Sequence, residues 1–234
     1  MCLHGPSLFG TSGSVLRDWI APLALEGFLE GYLHRSAWAQ PASATAAIPL
    51  LDWEILGRVL AATNPPPDVI VCAQGKKLDL PPPRDLTEMR AYLRIGVGLC
   101  MRHTQRCDAI LGRVAAGFER DLPGSVQVQI FVTPGGTHGF GWHYDIEDVF
   151  IAQTVGIKDY YFRENTVEKL APFPPRDFFG FQAETAPLQT ATLVPGDFLY
   201  IPSKWWHMAV CREDALSISV GVVPGANVAP HPKA

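Results

Sequence analysis

One stretch of this chain, residues 126–145, restricts the possible folds more than any other. Its first part, Val126–Val132, alternates apolar side chains with glutamine and phenylalanine. A period of two predicts a β-strand with two distinct faces. A glycine-rich turn follows and ends in His143-Tyr144-Asp145. Because alternate side chains of an extended segment point to the same face, we expect His143 and Asp145 to converge on one point.

The rest of the second half is also rich in β-strand signals. Short apolar and β-branched segments are separated by tight turns at Gly156 and at Pro195-Gly196-Asp197. The predicted strands are Asp148–Val155, Ile157–Phe162, Thr190–Val194, Phe198–Ile201 and Leu216–Val222. We interpret the first two, which flank Gly156, as a hairpin. Several short strands joined by tight turns predict an antiparallel barrel or a double-sheet jelly roll.

The first half is mostly helical in pattern. Apolar residues recur there at helical spacing, and short polar residues stand where N-caps are expected. Helices are predicted to begin near Val15, Glu26, Asp52, Thr87 and Asp108, strands at Val69–Cys72 and Gly96–Met101, and a loop over 36–47. We therefore divide the chain into a mostly helical region, 1–125, that packs on the barrel, a β core, 126–223, and a C-terminal tail, 224–234.

Composition argues against several classes of protein. Hydrophobic residues make up 47% of the 234 residues, enough for a sizeable core, and the net charge is −4. No lysine- or arginine-rich cluster is present, so nucleic acid is not an expected partner. The five cysteines lack Cys-x-x-Cys spacing, which argues against a disulfide framework or a structural zinc site and favours the cytoplasm. Neither a signal peptide nor a membrane span is recognised, so no membrane partner is expected.

A second histidine points to a metal site. His207 follows a predicted strand and lies far from His143 and Asp145 along the chain. Two imidazoles and one carboxylate form the facial triad of non-heme Fe(II) oxygenases, which leaves coordination positions open. We interpret His143, Asp145 and His207 as metal ligands and as the catalytic centre. The alternative is a pair of hydrogen-bonded core histidines without a metal.

The second half resembles the JmjC and cupin-like oxygenases that depend on Fe(II) and 2-oxoglutarate, and it is most similar to the ribosomal oxygenase group. The segments that carry the resemblance are Thr133–Asp145, Asp148–Gly156, Pro195–Pro202 with His207, and Phe28–Tyr32. The resemblance implies a mainly β fold with a helical N-terminal part, namely a double-stranded β-helix with the metal in the barrel mouth. Because the chain ends soon after its last predicted strand, we expect no counterpart of the dimerisation and winged-helix segments that ribosomal oxygenases add.

The resemblance also implies a residue that binds the cosubstrate, 2-oxoglutarate. Lys158 stands 15 positions after His143. The family carries at this place the lysine or arginine that pairs with the distal carboxylate of 2-oxoglutarate. The alternative for Lys158 is a solvated strand residue, because a lysine is seldom buried without a partner. Its spacing from His143 favours the place that the family uses, so Lys158 is assigned to the cosubstrate.

The strand before the glycine-rich turn departs from the family. There the family usually presents an asparagine and a tyrosine to the cosubstrate, and Gln129 and Phe131 stand in their places. The amide of Gln129 can still form a hydrogen bond, whereas Phe131 cannot. The missing hydroxyl is then expected from Tyr160, Ser217 or Ser219.

The implied activity is the hydroxylation of a peptide or protein side chain, or of a small metabolite, by O₂. It is coupled to the decarboxylation of 2-oxoglutarate to succinate, with Fe(II) as the metal. The alternative is a metal-binding cupin without oxygenase activity, either a binding or regulatory module or a zinc or manganese isomerase. Neither alternative requires a cation at Lys158. The oligomeric state is left open.

Four further residues near the predicted ligands allow two interpretations each. Trp142, Trp205 and Trp206 flank the ligands, and they either line the substrate entrance or only pack the barrel rim. His138, in the glycine-rich turn, either contacts substrate or lies on the surface.

Overall fold

The computed structural model describes residues 13–167 and 183–224. Of the C-terminal tail expected over 224–234, all but the first residue lies outside the described residues. The described helices are α1 (Val15–Ile20), α2 (Leu25–Gly31), α3 (Trp53–Leu60), α4 (Leu86–Arg94) and α5 (Ala109–Asp121), with 3-10 turns at Thr45–Leu50 and Thr104–Arg106.

The predicted helices are present, and two of the expected caps are confirmed. The Asp52 carboxylate accepts a hydrogen bond from the backbone N–H of Ile55 at the start of α3. Asp108 accepts from the N–H groups of Ile110 and Leu111 at the start of α5. A cap of this kind contributes about 1 kcal/mol because it satisfies donors that have no partner inside the helix.

Eleven strands form two sheets in the described part of the chain. The strands are β1 (Trp38–Gln40), β2 (Asp68–Ala73), β3 (Lys76–Lys77), β4 (Gly98–Arg102), β5 (Ser125–Thr133), β6 (Asp148–Val155), β7 (Lys158–Arg163), β8 (Gln189–Leu193), β9 (Phe198–Ile201), β10 (Trp206–Cys211) and β11 (Ala215–Val223). The larger sheet has the order β1-β9-β6-β11-β5-β4-β2-β3, and the smaller has the order β10-β7-β8. All the pairings are antiparallel.

The prediction that the strands around Gly156 form a hairpin is wrong. β6 lies in the larger sheet between β9 and β11, whereas β7 lies in the smaller sheet between β10 and β8. Both edges of β6 are thus occupied by strands that come much later in the chain, so β7 has no edge of β6 to pair with. Gly156, with a φ of 73°, carries the chain from one sheet to the other. This alternation between sheets is the winding of a double-stranded β-helix.

The loop expected over residues 36–47 is also corrected. Residues Trp38–Gln40 form β1, which pairs with β9 from Trp38–Tyr200 to Gln40–Phe198. Three residues are too few for a local pattern of period two, so the partner strand defines this element. Strand β10, which carries His207, was likewise not expected from its sequence.

The two faces predicted for β5 are confirmed, and they separate the core from the site. Val126, Val128, Ile130 and Val132 pack under the helices in the main hydrophobic core. Gln129 and Phe131, on the other face, line a cavity between the two sheets. A smaller apolar cluster closes the barrel interior; it includes Val149, Ile151, Phe162, Leu199 and Ile201.

The division of the chain at residues 125 and 223 remains a proposal. Strands β1–β4 all precede residue 125, and they pair into the same sheet as β5, β6, β9 and β11. The N-terminal region therefore supplies strands as well as helices. Among the described residues, no helix combines the length and the apolar character that a membrane crossing requires.

Candidate metal centre

Two segments bring the three predicted ligands together at the open side of the smaller sheet. His143 lies opposite His207, which is the second residue of β10, in an isolated antiparallel bridge. Asp145 is tied to the turn before β10, because its carbonyl oxygen accepts a hydrogen bond of 2.7 Å from the backbone N–H of Lys204. The backbone thus positions the ligands from both segments.

The side-chain atoms of the three residues face one another. The Oδ2 atom of Asp145 is 3.5 Å from Nε2 of His207 and 3.9 Å from Nε2 of His143. One ligand atom of each residue lies within 4.8 Å of the other two. The His143 Nδ1 is 2.7 Å from the Gly141 carbonyl oxygen, and the His207 Nδ1 is 3.0 Å from that of Trp205. With Nδ1 donating to a carbonyl, each Nε2 lone pair is left for a metal, so this donor set fits Fe(II).

The charges of the three groups are strongly coupled. Burial, followed by repulsion from His207, lowers the pKa of His143 to about 4, so this imidazole is neutral near pH 7. Burial also acts to lower the pKa of His207, but the hydrogen bond and charge of Asp145 outweigh it and raise the pKa. For Asp145, burial is outweighed by the two histidines, and its pKa is lowered. The group therefore combines a carboxylate with an imidazole that is neutral and ready to coordinate.

A single cavity connects this triad to Lys158. Lys158 is 2% exposed, and its Nζ donates a 2.8 Å hydrogen bond to the Ser217 hydroxyl. Ser217 also hydrogen-bonds with Tyr160. Burial lowers the pKa of Lys158, and among the described residues no carboxylate lies within ion-pair distance of it. The cavity thus contains a buried lysine that has no carboxylate counterion among the described residues.

The other residues predicted to bind the cosubstrate also line this cavity. Gln129, Tyr160, Ser217 and Ser219 are all among its walls. The Gln129 side chain is already engaged at both ends: its Nε2 donates to Glu147 at 2.7 Å, and its Oε1 accepts from the Cys100 thiol at 3.4 Å. The Phe131 ring lies 5.9 Å from the Lys158 Nζ, so it covers the ammonium without accepting a hydrogen bond.

Glu147 is a cavity residue that the sequence interpretation missed. It is 6% exposed and lies two positions after Asp145. Burial, followed by the charge of Asp145, raises its pKa to about 7. The same alternation that places His143 and Asp145 on one face extends to Glu147. That period of two was the signal that could have identified it.

Two of the tryptophans near the ligands pack rather than line the cavity. Trp206 is 1% exposed and its ring contacts Tyr144 edge to face, with centroids 4.9 Å apart. Trp205 belongs to the apolar cluster inside the barrel. His138 packs at the β2–β3 turn, where its carbonyl oxygen accepts from the backbone N–H of Gln74.

Comparison with known proteins confirms the resemblance. The JmjC domain family matches residues 107–228, slightly more than half of the chain. The chain is 28% identical over 132 residues to the bifunctional lysine-specific demethylase and histidyl-hydroxylase NO66 of Dictyostelium discoideum, covering 56% of this chain and 26% of that protein. It is 37% identical over 95 residues to ribosomal oxygenase 1 of Gallus gallus, covering 39% and 16%. The chain thus spans about a quarter or less of the length of these two relatives.

Solved structures agree on the fold. The ribosomal oxygenase YcfD from Escherichia coli in complex with cobalt and 2-oxoglutarate matches with a TM-score of 0.64 and 20% identity, covering 88% of this chain and 53% of that one. The complex of YcfD with cobalt and succinic acid matches equally well. The sheet order, the family match and these likenesses agree, and we conclude that the chain belongs to the JmjC domain family and has its double-stranded β-helix fold.

Proposed function

We propose that this chain is an Fe(II)- and 2-oxoglutarate-dependent oxygenase that hydroxylates a side chain of a protein or peptide. One observation carries the proposal: a single cavity joins three metal-ligand side chains to a buried lysine that has no carboxylate partner among the described residues. A metal-binding cupin needs only the triad, whereas a dicarboxylate that chelates the metal needs both. The hydroxylase and oxygenase names of the relatives support the same reaction class.

In this proposal, His143, Asp145 and His207 hold Fe(II). When bound, the metal supplies the activation of O₂ that the hydroxylation of a C–H bond requires. 2-Oxoglutarate, O₂ and the substrate R–H give succinate, CO₂ and R–OH. The carbonyl oxygens of Gly141 and Trp205 keep the Nδ1 protons of both histidines in place, so each Nε2 stays available throughout.

Lys158 binds and orients the cosubstrate. Its ammonium pairs with the distal carboxylate of 2-oxoglutarate, and the Ser217 hydroxyl, already 2.8 Å from Nζ, lies beside this pair with Tyr160. A charge-assisted hydrogen bond in a buried site is stronger than one in water. The carboxylate therefore supplies the counterion that the lysine lacks within the described protein.

The walls of the cavity exclude water from the reaction. Apolar side chains form part of its lining: Leu99, Phe131, Val149, Ile151 and Ala209. Exclusion of water strengthens the pairing at Lys158 and limits side reactions. The proposal includes the cytoplasm as the compartment, because Cys72, Cys100, Cys107 and Cys211 are free thiols, which suits a reducing environment.

Anaerobic spectroscopy and product analysis test the proposal. Fe(II) and 2-oxoglutarate added together under nitrogen should produce a weak visible charge-transfer band that neither produces alone. Admission of O₂ should then give succinate in an amount that depends on the protein. Metal binding without the band and without succinate would favour the cupin that binds a metal but is not an oxygenase.

A further inference from the structure

We infer that His34 is a positioning residue for the metal centre, and that it acts through the buried carboxylate of Asp148 on the turn that leads to His207. The inference rests on the proposed function, since it concerns the support of that same metal site. His34 follows α2 in the chain, far from the second half, where all the predicted site residues lie. It does not line the cavity.

The Asp148 carboxylate joins three separate segments of the chain. Asp148 is the first residue of β6 and is 1% exposed. Its Oδ2 lies 2.8 Å from Nδ1 of His34. Its Oδ1 accepts a 2.6 Å hydrogen bond from the Tyr200 hydroxyl and a 3.2 Å hydrogen bond from the backbone N–H of Ser203. The Tyr200 hydroxyl in turn accepts a 2.8 Å hydrogen bond from the backbone N–H of His34. One carboxylate therefore fixes the segment after α2, strand β9 and the turn after β9 relative to one another.

The turn held by Asp148 is also the turn that positions the ligands. The Ser203 hydroxyl donates a 2.8 Å hydrogen bond to the carbonyl oxygen of Ile146. The next residue, Lys204, donates its backbone N–H to the carbonyl oxygen of Asp145 at 2.7 Å. His207 follows three positions later, in β10. A displacement of this turn would therefore act on the backbone of Asp145 and of His207 together.

Both ends of this connection have a backbone conformation that residues other than glycine seldom adopt. The φ angle is 60° at His34 and 67° at Lys204. Such conformations persist where the surrounding contacts determine them. Here the contacts are the hydrogen bonds that the two N–H groups donate to Tyr200 and to Asp145. The two segments are thus held by the contacts around Asp148 rather than by their own backbone preferences.

The Asp148 carboxylate needs each of its partners, because a buried charge without partners is costly. The His34 ring is the part of this network that reaches solvent, with 31% of its side chain exposed, whereas Tyr200 is fully buried. Without the ring, water can enter beside Oδ2 and compete for the carboxylate. The bonds from Tyr200 and Ser203 then have an alternative, and the turn is expected to move more freely. The ligand atoms would spend less time in the geometry that binds a metal.

A purely stabilising role for His34 makes a different prediction. In that role the loss of the ring lowers the free energy of unfolding, but the folded protein binds the metal as before. His34→Gly removes the ring and adopts a φ of 60° without strain. Asp85→Ala is the matched control, because it removes the N-cap of α4, a helix outside this network, and should also lower stability.

Two measurements separate the roles. The affinity for Mn(II) is measured by calorimetry under nitrogen, with and without 2-oxoglutarate. Hydrogen exchange of the backbone amides in residues 203–207 is measured by mass spectrometry on the metal-free protein, so this readout needs neither metal nor turnover.

In His34→Gly we expect the dissociation constant for Mn(II) to rise at least about threefold, less than the tenfold or more for a group that touches a ligand directly. Exchange in 203–207 should accelerate by at least about threefold, because the turn opens more often. Tyr200→Phe removes a hydroxyl from the same network and should shift both quantities in the same direction. Asp85→Ala should leave both as in the wild type.

Mn(II) affinity or amide exchange like that of the wild type in His34→Gly or in Tyr200→Phe overturns the inference, as do equal changes in His34→Gly and Asp85→Ala. If His34→Gly does not fold, Tyr200→Phe gives the same comparison. A wild type that binds Mn(II) but not 2-oxoglutarate counts against the oxygenase alone, because the comparison of Mn(II) affinities still judges His34. A wild type that binds no Mn(II) overturns both proposals.

Discussion

His143 and His207 exchange both of their backbone hydrogen bonds, although 64 positions separate them in the chain. The N–H of His207 donates to the His143 carbonyl oxygen at 2.8 Å, and the reverse bond measures 3.1 Å. Residues paired in this way place their side chains on the same face of the sheet, and the two rings lie with centroids 4.3 Å apart. The relative position of the two imidazoles is therefore set by the backbone.

Because the backbone places the ligands, their removal should abolish metal binding with little loss of structure. In His143→Ala and His207→Ala, we expect Mn(II) affinity to fall at least about a hundredfold, the effect of losing one of three ligands. The melting temperature should stay within a few degrees of that of the wild type. Calorimetry and circular dichroism measure the two quantities. His103→Asn, at a surface turn with a φ of 56° that asparagine tolerates, is the control and should bind Mn(II) normally.

Loss of the Lys158 ammonium should weaken the binding of 2-oxoglutarate but not that of the metal. In Lys158→Met, the dissociation constant for 2-oxoglutarate should rise at least about tenfold, because one charge-assisted hydrogen bond is lost. Lys158→Arg should retain more affinity than Lys158→Met. Calorimetry with Mn(II)-loaded protein measures this, with exposed Lys77→Met as the control. An unchanged affinity in Lys158→Met would remove the main reason to prefer an oxygenase over a metal-binding cupin.

Gly221 and Glu147 should be energetically coupled. Gly221→Ala inserts a methyl group where the carboxylate lies, so we expect a loss of about 1–3 kcal/mol in the free energy of unfolding. In a Glu147→Ala background, the same substitution should cost much less, since the space is then empty. Urea denaturation of the four proteins gives the coupling energy. If the losses of unfolding free energy in the two single variants simply add in the double variant, the Glu147 carboxylate does not occupy the space beside Gly221.

Gly156 should tolerate substitution less well than Gly136, although both have a φ of 73°. A Cβ at Gly156 would come within 2.5 Å of the Asp214 carbonyl oxygen, whereas a Cβ at Gly136 meets nothing within 4 Å. Each alanine variant carries the strain of the left-handed backbone, about 1–2 kcal/mol. Only Gly156→Ala should show a further loss, and the difference between the two midpoints of urea denaturation reports the close approach. Equal midpoints would contradict the packing described at this crossing between the sheets.

His34 should make stability depend on pH. Its Nδ1 is 2.8 Å from Oδ2 of the buried Asp148, and this hydrogen bond, opposed by burial, raises the pKa of His34 above 6.5. The stabilisation is therefore fully present below the unfolded pKa of about 6.5 and is lost as the pH rises through the folded pKa. Between pH 5.5 and 8.5, the wild type should lose more unfolding free energy than His34→Asn. A parallel pH dependence in the two proteins would show that the pair contributes nothing.

Local sequence patterns were sufficient to predict the helices, most of the strands and a candidate set of ligands. The alternation in Val126–Val132 predicted both faces of β5, because the period of side chains along a strand is set by the backbone of that strand alone. The spacing of His143 and Asp145 predicted that their side chains converge for the same reason, and the resemblance to the family added His207 to the predicted triad. Glu147 obeyed the same period, and it could have been included.

Only the tertiary structure decided how the strands combine and which charges meet. β6 and β7 follow each other in sequence but lie in different sheets, because distant strands β9 and β11 occupy both edges of β6. The position of the Glu147 carboxylate likewise depends on hydrogen bonds from Gln127 and Gln129 of β5 and on the absence of a side chain at Gly221 of β11. Pairing and burial of this kind are long-range properties, since they depend on which segments exclude water together, and no local period encodes them.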